Sequence, residues 1–168
     1  MEIYWLLGIP LTGGIFLALW GCRKHSPEIN ALFSLLTLLA AALLTHRIIE
    51  NGPMTVGGGW FFIDSFNVFL VALTAFVAFT TALFSRPYMH IEAEHGKLND
   101  KRLRLYHSSY QIFIAAMLLA LTTNNMGILW VAMEAATLAT VLLVSLYRTP
   151  ASLEAAWKYF ILCGVGIA

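Results

Sequence analysis

The segment from Met126 to Tyr147, Met-Gly-Ile-Leu-Trp-Val-Ala-Met-Glu-Ala-Ala-Thr-Leu-Ala-Thr-Val-Leu-Leu-Val-Ser-Leu-Tyr, decides the fold class of this chain. Its 22 residues contain no proline and a single charged side chain, that of Glu134. At about 1.5 Å per residue a helix of this length measures about 33 Å, enough to cross the ~30 Å hydrocarbon core of a bilayer. The segment therefore predicts a transmembrane helix.

Other apolar stretches repeat this pattern along the chain. We predict six spans in all, near residues 3–20, 29–45, 66–84, 108–122, 126–147 and 151–168. The composition agrees, because 60% of the 168 residues are hydrophobic and 11% are charged, whereas soluble domains carry roughly 25% charged residues. The sequence thus predicts an all-α fold, a polytopic transmembrane helix bundle that forms a single membrane domain over residues 1–168.

Lysine and arginine residues lie almost entirely on one side of the predicted spans. Eight fall in the connections after spans one, three and five, and one, Arg47, falls on the opposite side. The eight are Arg23, Lys24, Arg86, Lys97, Lys101, Arg102, Arg104 and Arg148. Because cytoplasmic loops are enriched in Lys and Arg, we predict that the N-terminus lies outside the cytoplasm, in a periplasmic or extracellular position.

Charge and cysteine content exclude several classes of function. The net charge of +1, without an aromatic and basic strip, argues against a nucleic-acid partner. The two cysteines, Cys22 and Cys163, indicate neither a disulfide framework nor a thiolate metal site. His90 and His95 lie near glutamates but lack the His-Glu-x-x-His spacing, so we predict no metal site. The sequence contains no phosphate loop or nucleophile elbow, and we expect neither catalytic residues nor a cofactor in this chain.

Glu134 is the first candidate for a functional residue. It lies eight residues past the outer end of the fifth span, about 12 Å deep and close to mid-membrane. An ionisable side chain at this depth costs at least ~2.5 kcal/mol, so we predict that it transfers protons. The alanines around it, Ala132, Ala135, Ala136 and Ala139, are expected to let a neighbouring helix approach closely. The alternative is a protonated glutamate that only hydrogen-bonds between helices.

Lys158 is the second candidate. It lies roughly 13 Å from the cytoplasmic end of the sixth span, and Glu134 lies about 20 Å from the same end of the fifth. Because the two spans are antiparallel neighbours, their side chains and one or two waters could bridge the remaining ~7 Å and form a proton relay. The alternative is that Lys158 extends to the cytoplasmic interface and pairs with Glu154 one turn earlier.

Two further polar residues belong to the predicted proton-transfer set. Asp64 lies at the outer end of the third span, where it is either a proton-transfer residue or the N-cap of the helix. His107, like His25 and His46, is predicted to be a polar residue at a membrane border, and it is additionally a candidate proton acceptor.

These residues carry a resemblance to a known family. The stretches are Met133-Glu134-Ala-Ala-Thr-Leu-Ala, Leu153-Glu-Ala-Ala-Trp-Lys158-Tyr and, upstream, Phe62-Ile-Asp64-Ser-Phe. Together they resemble the antiporter-like membrane subunits of respiratory complex I and its relatives, and within that family most of all the hydrogenase 4 component F type. By this resemblance Glu134 would be a channel-connecting carboxylate and Lys158 a lysine of the intramembrane polar axis.

The resemblance implies a non-catalytic subunit that contributes part of a proton or cation/proton path in an oxidoreductase complex. Its partners would be other membrane subunits, the peripheral redox arm and the lipid bilayer, in a bacterial-type inner membrane. Family members are far longer, and the sixth span ends at Ala168 while still apolar, so we expect the N-terminal part of a longer subunit. Two alternatives remain, a subunit of a sodium/proton antiporter or bicarbonate-uptake complex, and a non-transporting scaffold that docks soluble subunits through residues 85–106.

Overall fold

A computed structural model describes residues 2–20, 25–94 and 99–167 of the protein. These residues form six α-helices and one β-hairpin. The elements in chain order are α1 (Glu2–Trp20), α2 (Ser26–Asn51), β1 (Met54–Val56), β2 (Phe61–Ile63), α3 (Ser65–Glu94), α4 (Asp100–Thr122), α5 (Met126–Val144) and α6 (Pro150–Ile167). Of the helices in this part of the chain, α1 to α5 are long and apolar enough to cross a membrane. With α6 as the sixth helix, the predicted polytopic helix bundle is confirmed.

Several helices are longer than the predicted spans. α3 has 30 residues and α4 begins at Asp100, eight residues before the predicted start at 108. At 1.5 Å per residue α3 is about 45 Å long, so it projects well beyond a ~30 Å hydrocarbon core. The predicted spans were drawn from the apolar residues alone, and these mark only the part of a helix that lies in lipid. The polar ends of α3 and α4 were therefore not included. Cys22, Arg23, Lys24, His95, Lys97 and Ala168, which entered the predictions from the sequence, lie outside the described residues.

α4 is the central helix of the bundle. Half of its apolar window is buried, compared with a third or less in each of the other four spanning helices. α1 packs on α2 and α4, while α5 packs on α4 and α6. Leu6, Leu44, Val71 and Leu118 are fully buried where α1 to α4 meet. The fold therefore presents α5 and α6 at one side of a core built from the first four helices.

Close approach of α1 to its neighbours depends on two adjacent glycines. A β-carbon on Gly13 would lie 2.8 Å from Cγ of Phe33 on α2, and one on Gly14 would lie 3.0 Å from Ile112 on α4. The Ser108 hydroxyl of α4 donates a hydrogen bond of 2.8 Å to the Gly14 carbonyl. Small residues that allow such contacts are typical of helix interfaces in membranes.

A β-hairpin, which was not among the predicted elements, lies at one end of the bundle. Its strands pair antiparallel, and the turn uses Gly57, Gly58 and Gly59, all with positive φ. The Asn124 backbone N–H, between α4 and α5, donates to the Trp60 carbonyl at 2.8 Å, and its side-chain amide donates to Gly59 at 3.1 Å. The hairpin thus ties the α2–α3 connection to the α4–α5 turn. In that turn Asn125 caps α5, accepting from the backbone N–H groups of Gly127 and Ile128.

Candidate functional site

Glu134 lies near the middle of α5, eight residues after its first residue, Met126. Its side chain is half-buried. Within the described residues no hydrogen bond or ion pair involves its carboxylate. The neighbouring hydroxyls of Thr137 and Thr140 donate instead to carbonyls of their own helix, at 3.1 and 2.9 Å. The carboxyl group is therefore held in an apolar helix without a protein partner among the described groups.

The carboxyl group and the buried alanines lie on different faces of α5. Ala132, Ala136 and Ala139 are almost completely buried, and they mark the face that packs on the neighbouring helices. At about 100° per residue, Glu134 lies roughly 140–160° around the helix from them. Trp130 and Leu138, one turn to either side of Glu134, are both exposed. These three alanines therefore lie on the side of α5 away from Glu134, whereas Ala135 is half-buried and Thr137, about 60° around the helix from Glu134, is buried.

Lys158 lies on α6 and forms an ion pair with Glu154, one turn earlier, at 2.5 Å. Both side chains are well exposed, Lys158 to 70% and Glu154 to 65%. This is the alternative arrangement that the sequence allowed. The described interactions do not include a contact between Lys158 and Glu134, so the relay between the two stays a prediction.

The turn between α5 and α6 fixes how these two helices meet. A short 3₁₀ turn over Ser145–Tyr147 leads to Arg148, which has a left-handed φ of 53°. Thr149 and Ser152 then exchange side-chain and backbone hydrogen bonds of 3.0 and 3.2 Å, and Pro150 is the first residue of α6. Thr149 and Pro150 therefore have the residue types and positions typical of a helix start. The two helices pack as antiparallel neighbours, which places Glu134 and Lys158 on adjacent elements.

Asp64 caps α3. Its carboxylate accepts a hydrogen bond of 2.7 Å from the backbone N–H of Asn67, and its carbonyl accepts from Val68. This is the N-cap geometry that satisfies a free N–H of the first helical turn. The cap alternative is therefore present in the structure, while a proton-transfer role for Asp64 stays a prediction.

His107 is completely buried on α4, with 0% of its surface exposed. Its ring lies edge-on to Tyr106 at a centroid distance of 5.0 Å, and neither ring nitrogen has a hydrogen-bond partner among the described residues. The prediction of a polar border residue is wrong for His107, because α4 begins seven residues earlier than His107 and places it inside the bundle. His25 and His46 are exposed, and His46 pairs with Glu50 at 3.3 Å.

Sequence reasoning missed a second polar group in the interior. The Gln111 amide of α4 donates to the carbonyl and side-chain oxygens of Asn30 and to the Ser34 hydroxyl, at 3.1, 2.8 and 3.0 Å. All three residues are fully buried. The available signal was the spacing of polar residues at 30, 34 and 37, and at 107 and 111, within otherwise apolar helices. In the described part of the chain no cluster of three His, Cys, Asp or Glu could hold a metal.

Fold and site together define a class, a multi-pass helical membrane protein with an ionisable residue at mid-depth of one helix. No protein-family model matches the chain. The chain is 45% identical over 159 residues, 95% of its length, to a protein described as a hydrogenase-4 component F homolog from Methylacidiphilum infernorum (isolate V4). The resemblance predicted from Glu134, Lys158 and their flanking residues is thereby confirmed.

A solved structure also has this fold. The chain aligns over 99% of its length, with a TM-score of 0.82 and 20% identity, to a chain in the structure of the membrane-bound sulfane sulfur reductase, an archaeal respiratory membrane complex. In both comparisons the similar protein is much longer. This chain spans about a third of each, 32% of the hydrogenase-4 component F homolog and 35% of the chain in the respiratory complex.

Proposed function

We propose that this chain is part of a membrane subunit that carries protons, or exchanges a cation for protons, in a redox-driven complex of the membrane-bound hydrogenase or NADH–quinone oxidoreductase type. Glu134 is the proton-carrying group and Lys158 its partner on α6. The observation that carries the proposal is the Glu134 carboxyl group, half-buried and unpaired among the described residues, in a chain 45% identical to a hydrogenase-4 component F homolog.

The free-energy cost of placing Glu134 in the membrane supports a role in proton transfer more than a purely structural role. A carboxyl group at mid-membrane costs about 2.5–3.5 kcal/mol, and a purely structural role would offset this with a hydrogen bond. Among the described residues Glu134 makes none. Its face of α5 is turned away from the buried alanines, so water or a further helix can reach it without disturbing their packing.

Lys158 is suited to exchange partners. The described ion pair of Lys158 joins it to Glu154 on its own helix, so a change of partner breaks no contact between helices. The long side chain lies on the helix that follows α5 after a tight turn. We propose that Lys158 alternates between Glu154 and a position nearer the middle of the bundle, where it takes up or releases a proton relayed to Glu134.

The positions of the lysine and arginine residues support an orientation of the chain in the membrane. Arg86, Lys101, Arg102 and Arg104 lie at the end of the bundle where α3 ends and α4 begins, and Arg148 lies at the same end, after α5. Because cytoplasmic loops are rich in Lys and Arg, we propose that this end faces the cytoplasm and the N-terminus faces the periplasm or exterior of a bacterial-type inner membrane. Further membrane subunits and a peripheral redox arm are the proposed partners.

Replacing Glu134 by Gln in the assembled complex tests this proposal. Proton uptake into inverted membrane vesicles is followed with a pH-sensitive dye while the complex turns over. The Glu134→Gln variant is expected to assemble but to lose redox-driven proton uptake, whereas Glu134→Asp, which keeps a carboxyl group, retains part of it.

The matched control is Glu50→Gln. Glu50 is an exposed residue of α2 that pairs only weakly with His46, so its amide variant should pump like the parent. Unchanged proton uptake in an assembled Glu134→Gln complex would refute the proposed path and favour a scaffold. Uptake that requires sodium ions would assign cation/proton exchange to the same residue.

A further inference from the structure

A second buried polar group lies away from Glu134, between α2 and α4. Asn30 and Ser34 are one helical turn apart on α2, and His107 and Gln111 are one turn apart on α4. Each of these four side chains has 0% of its surface exposed. Residues one turn apart on a helix have β-carbons about 5–6 Å from each other, so His107 lies next to the Gln111 contact with α2.

The hydrogen bonds of Gln111 fix the orientation of two amides. Its amide nitrogen faces the Asn30 backbone carbonyl at 3.1 Å, and that oxygen can only accept. Reversing the Gln111 amide would therefore bring two acceptors together. The same nitrogen is 2.8 Å from Oδ1 of Asn30, which fixes the Asn30 amide as well. In this orientation Oε1 of Gln111 and Nδ2 of Asn30 are buried without a hydrogen-bond partner in the part of the chain that the structure describes.

His107 adds one more donor and one more acceptor. A neutral imidazole carries one N–H and one nitrogen that only accepts, and within residues 2–20, 25–94 and 99–167 neither ring nitrogen of His107 has a hydrogen-bond partner. Two buried donors therefore lack a described acceptor, Nδ2 of Asn30 and one ring nitrogen of His107. Two buried acceptors lack a described donor, Oε1 of Gln111 and the other ring nitrogen of His107. Buried polar groups in native proteins are almost always bonded to protein or to ordered water, and a water molecule supplies both donors and acceptors.

We propose that Asn30, His107 and Gln111 form an internal water-binding site inside the membrane-spanning bundle. At least one water molecule donates to Oε1 of Gln111 and accepts from Nδ2 of Asn30, and the His107 ring completes its hydrogen bonds with the same water or a second one. The expected ligand is water rather than a metal cation, because the three side chains include no carboxylate or thiolate and Asn30 presents an N–H group. This site is independent of the function proposed for Glu134.

Radiolytic hydroxyl-radical labelling of the full chain in its native membrane tests this proposal. Radicals form from water, so a side chain that is buried but hydrogen-bonded to internal water is oxidised, and mass spectrometry locates the product. We expect oxidised His107 in the parent chain and loss of that product in Gln111→Leu, which removes the acceptor that holds the water. Absence of His107 oxidation in the parent chain, which needs no substitution, would overturn the proposal.

The matched control is Thr37→Val. Thr37 is fully buried on the same helix as Asn30, but its hydroxyl is satisfied by the Phe33 carbonyl at 2.9 Å. His107 oxidation should be unchanged in this variant. Oxidation that persists in Gln111→Leu would assign the water elsewhere and refute the site. If Gln111→Leu does not fold, a structure of the parent chain that resolves ordered water decides, because a density peak within hydrogen-bond distance of both Gln111 and Asn30 is required.

Discussion

Adding one methyl group at Gly13 should loosen the contact between α1 and α2. A β-carbon there would lie 2.8 and 2.9 Å from Cγ and Cδ1 of Phe33, and 3.2 Å from its Cβ. Rotation about the Cβ–Cγ bond leaves Cβ and Cγ of Phe33 in place, so a turn of the ring does not remove the overlap, and the whole side chain or the helices must shift. Overpacking of this kind costs about 1–3 kcal/mol. Replacing glycine by alanine inside a helix recovers about 0.5–1 kcal/mol.

We therefore expect Gly13→Ala to be destabilised by roughly 0–2.5 kcal/mol. Gly8→Ala is the matched control on the same helix, because a β-carbon there meets nothing within 4 Å. This control should be stabilised by about 0.5–1 kcal/mol, so the difference between the two variants isolates the overlap with Phe33. Circular dichroism of the full chain in detergent measures both as shifts in Tm, at about 2–4 °C per kcal/mol.

A double substitution checks the assignment to Phe33. Truncating the ring in Phe33→Ala removes the atoms that a new β-carbon would meet, so Gly13→Ala should then behave like Gly8→Ala. A Gly13→Ala variant that is as stable as Gly8→Ala in the parent background would refute the claim that α1 and α2 depend on a glycine at their contact.

Three more outcomes are expected, two from helix caps in the structure and one from the role proposed for Lys158. Asp64→Ala should destabilise the chain by about 1 kcal/mol through loss of the α3 cap, while Asp64→Asn keeps the acceptor and should be near neutral in thermal unfolding. Asn125→Ala should cost a similar ~1 kcal/mol at the start of α5, and an unchanged Tm would contradict the two hydrogen bonds assigned to that cap. Lys158→Met should lower redox-driven proton uptake, while Glu154→Gln changes stability by less than ~1 kcal/mol and leaves uptake intact. Equal loss of uptake in both variants would mean that the ion pair itself is required.

The sequence predicts the number and order of the helices because crossing a bilayer requires long apolar segments. The turn at Asn124 and Asn125 and the start of α6 at Pro150 use residue types that favour these local structures, since both depend on local backbone chemistry. The polar extensions of α3 and α4 were not predicted, because hydropathy identifies the segment of a helix that lies in lipid and not the polar turns that continue the helix beyond it. The hairpin was missed because its strands have three residues each, too few to give an alternating pattern, although Gly57–Gly59 marks its turn.

Burial of His107 and Gln111 could not be predicted for a different reason. A polar residue near the end of an apolar span can lie at the membrane border or inside the bundle, and the choice depends on where the helix begins and which helix packs on it. Here α4 begins at Asp100 and packs against α1 and α2, so both side chains enter the core. The spacing of four residues between His107 and Gln111 is visible in the sequence. The partner Asn30, however, lies on α2, 81 residues before Gln111 in the chain.

The division of α5 into two faces has a consequence for how the chain can work. Helix packing needs small residues in close contact, and proton transfer needs space for water and for movement of a side chain. A carboxyl group placed among Ala132, Ala136 and Ala139 would have no space for water and no room to move, because these positions are almost completely buried. Glu134 lies on the opposite side of the same helix. Because the carboxyl group that we propose to transfer protons lies away from these alanines, a change at that group should leave their packing intact. That separation is what makes the Glu134→Gln variant a test of function rather than of folding.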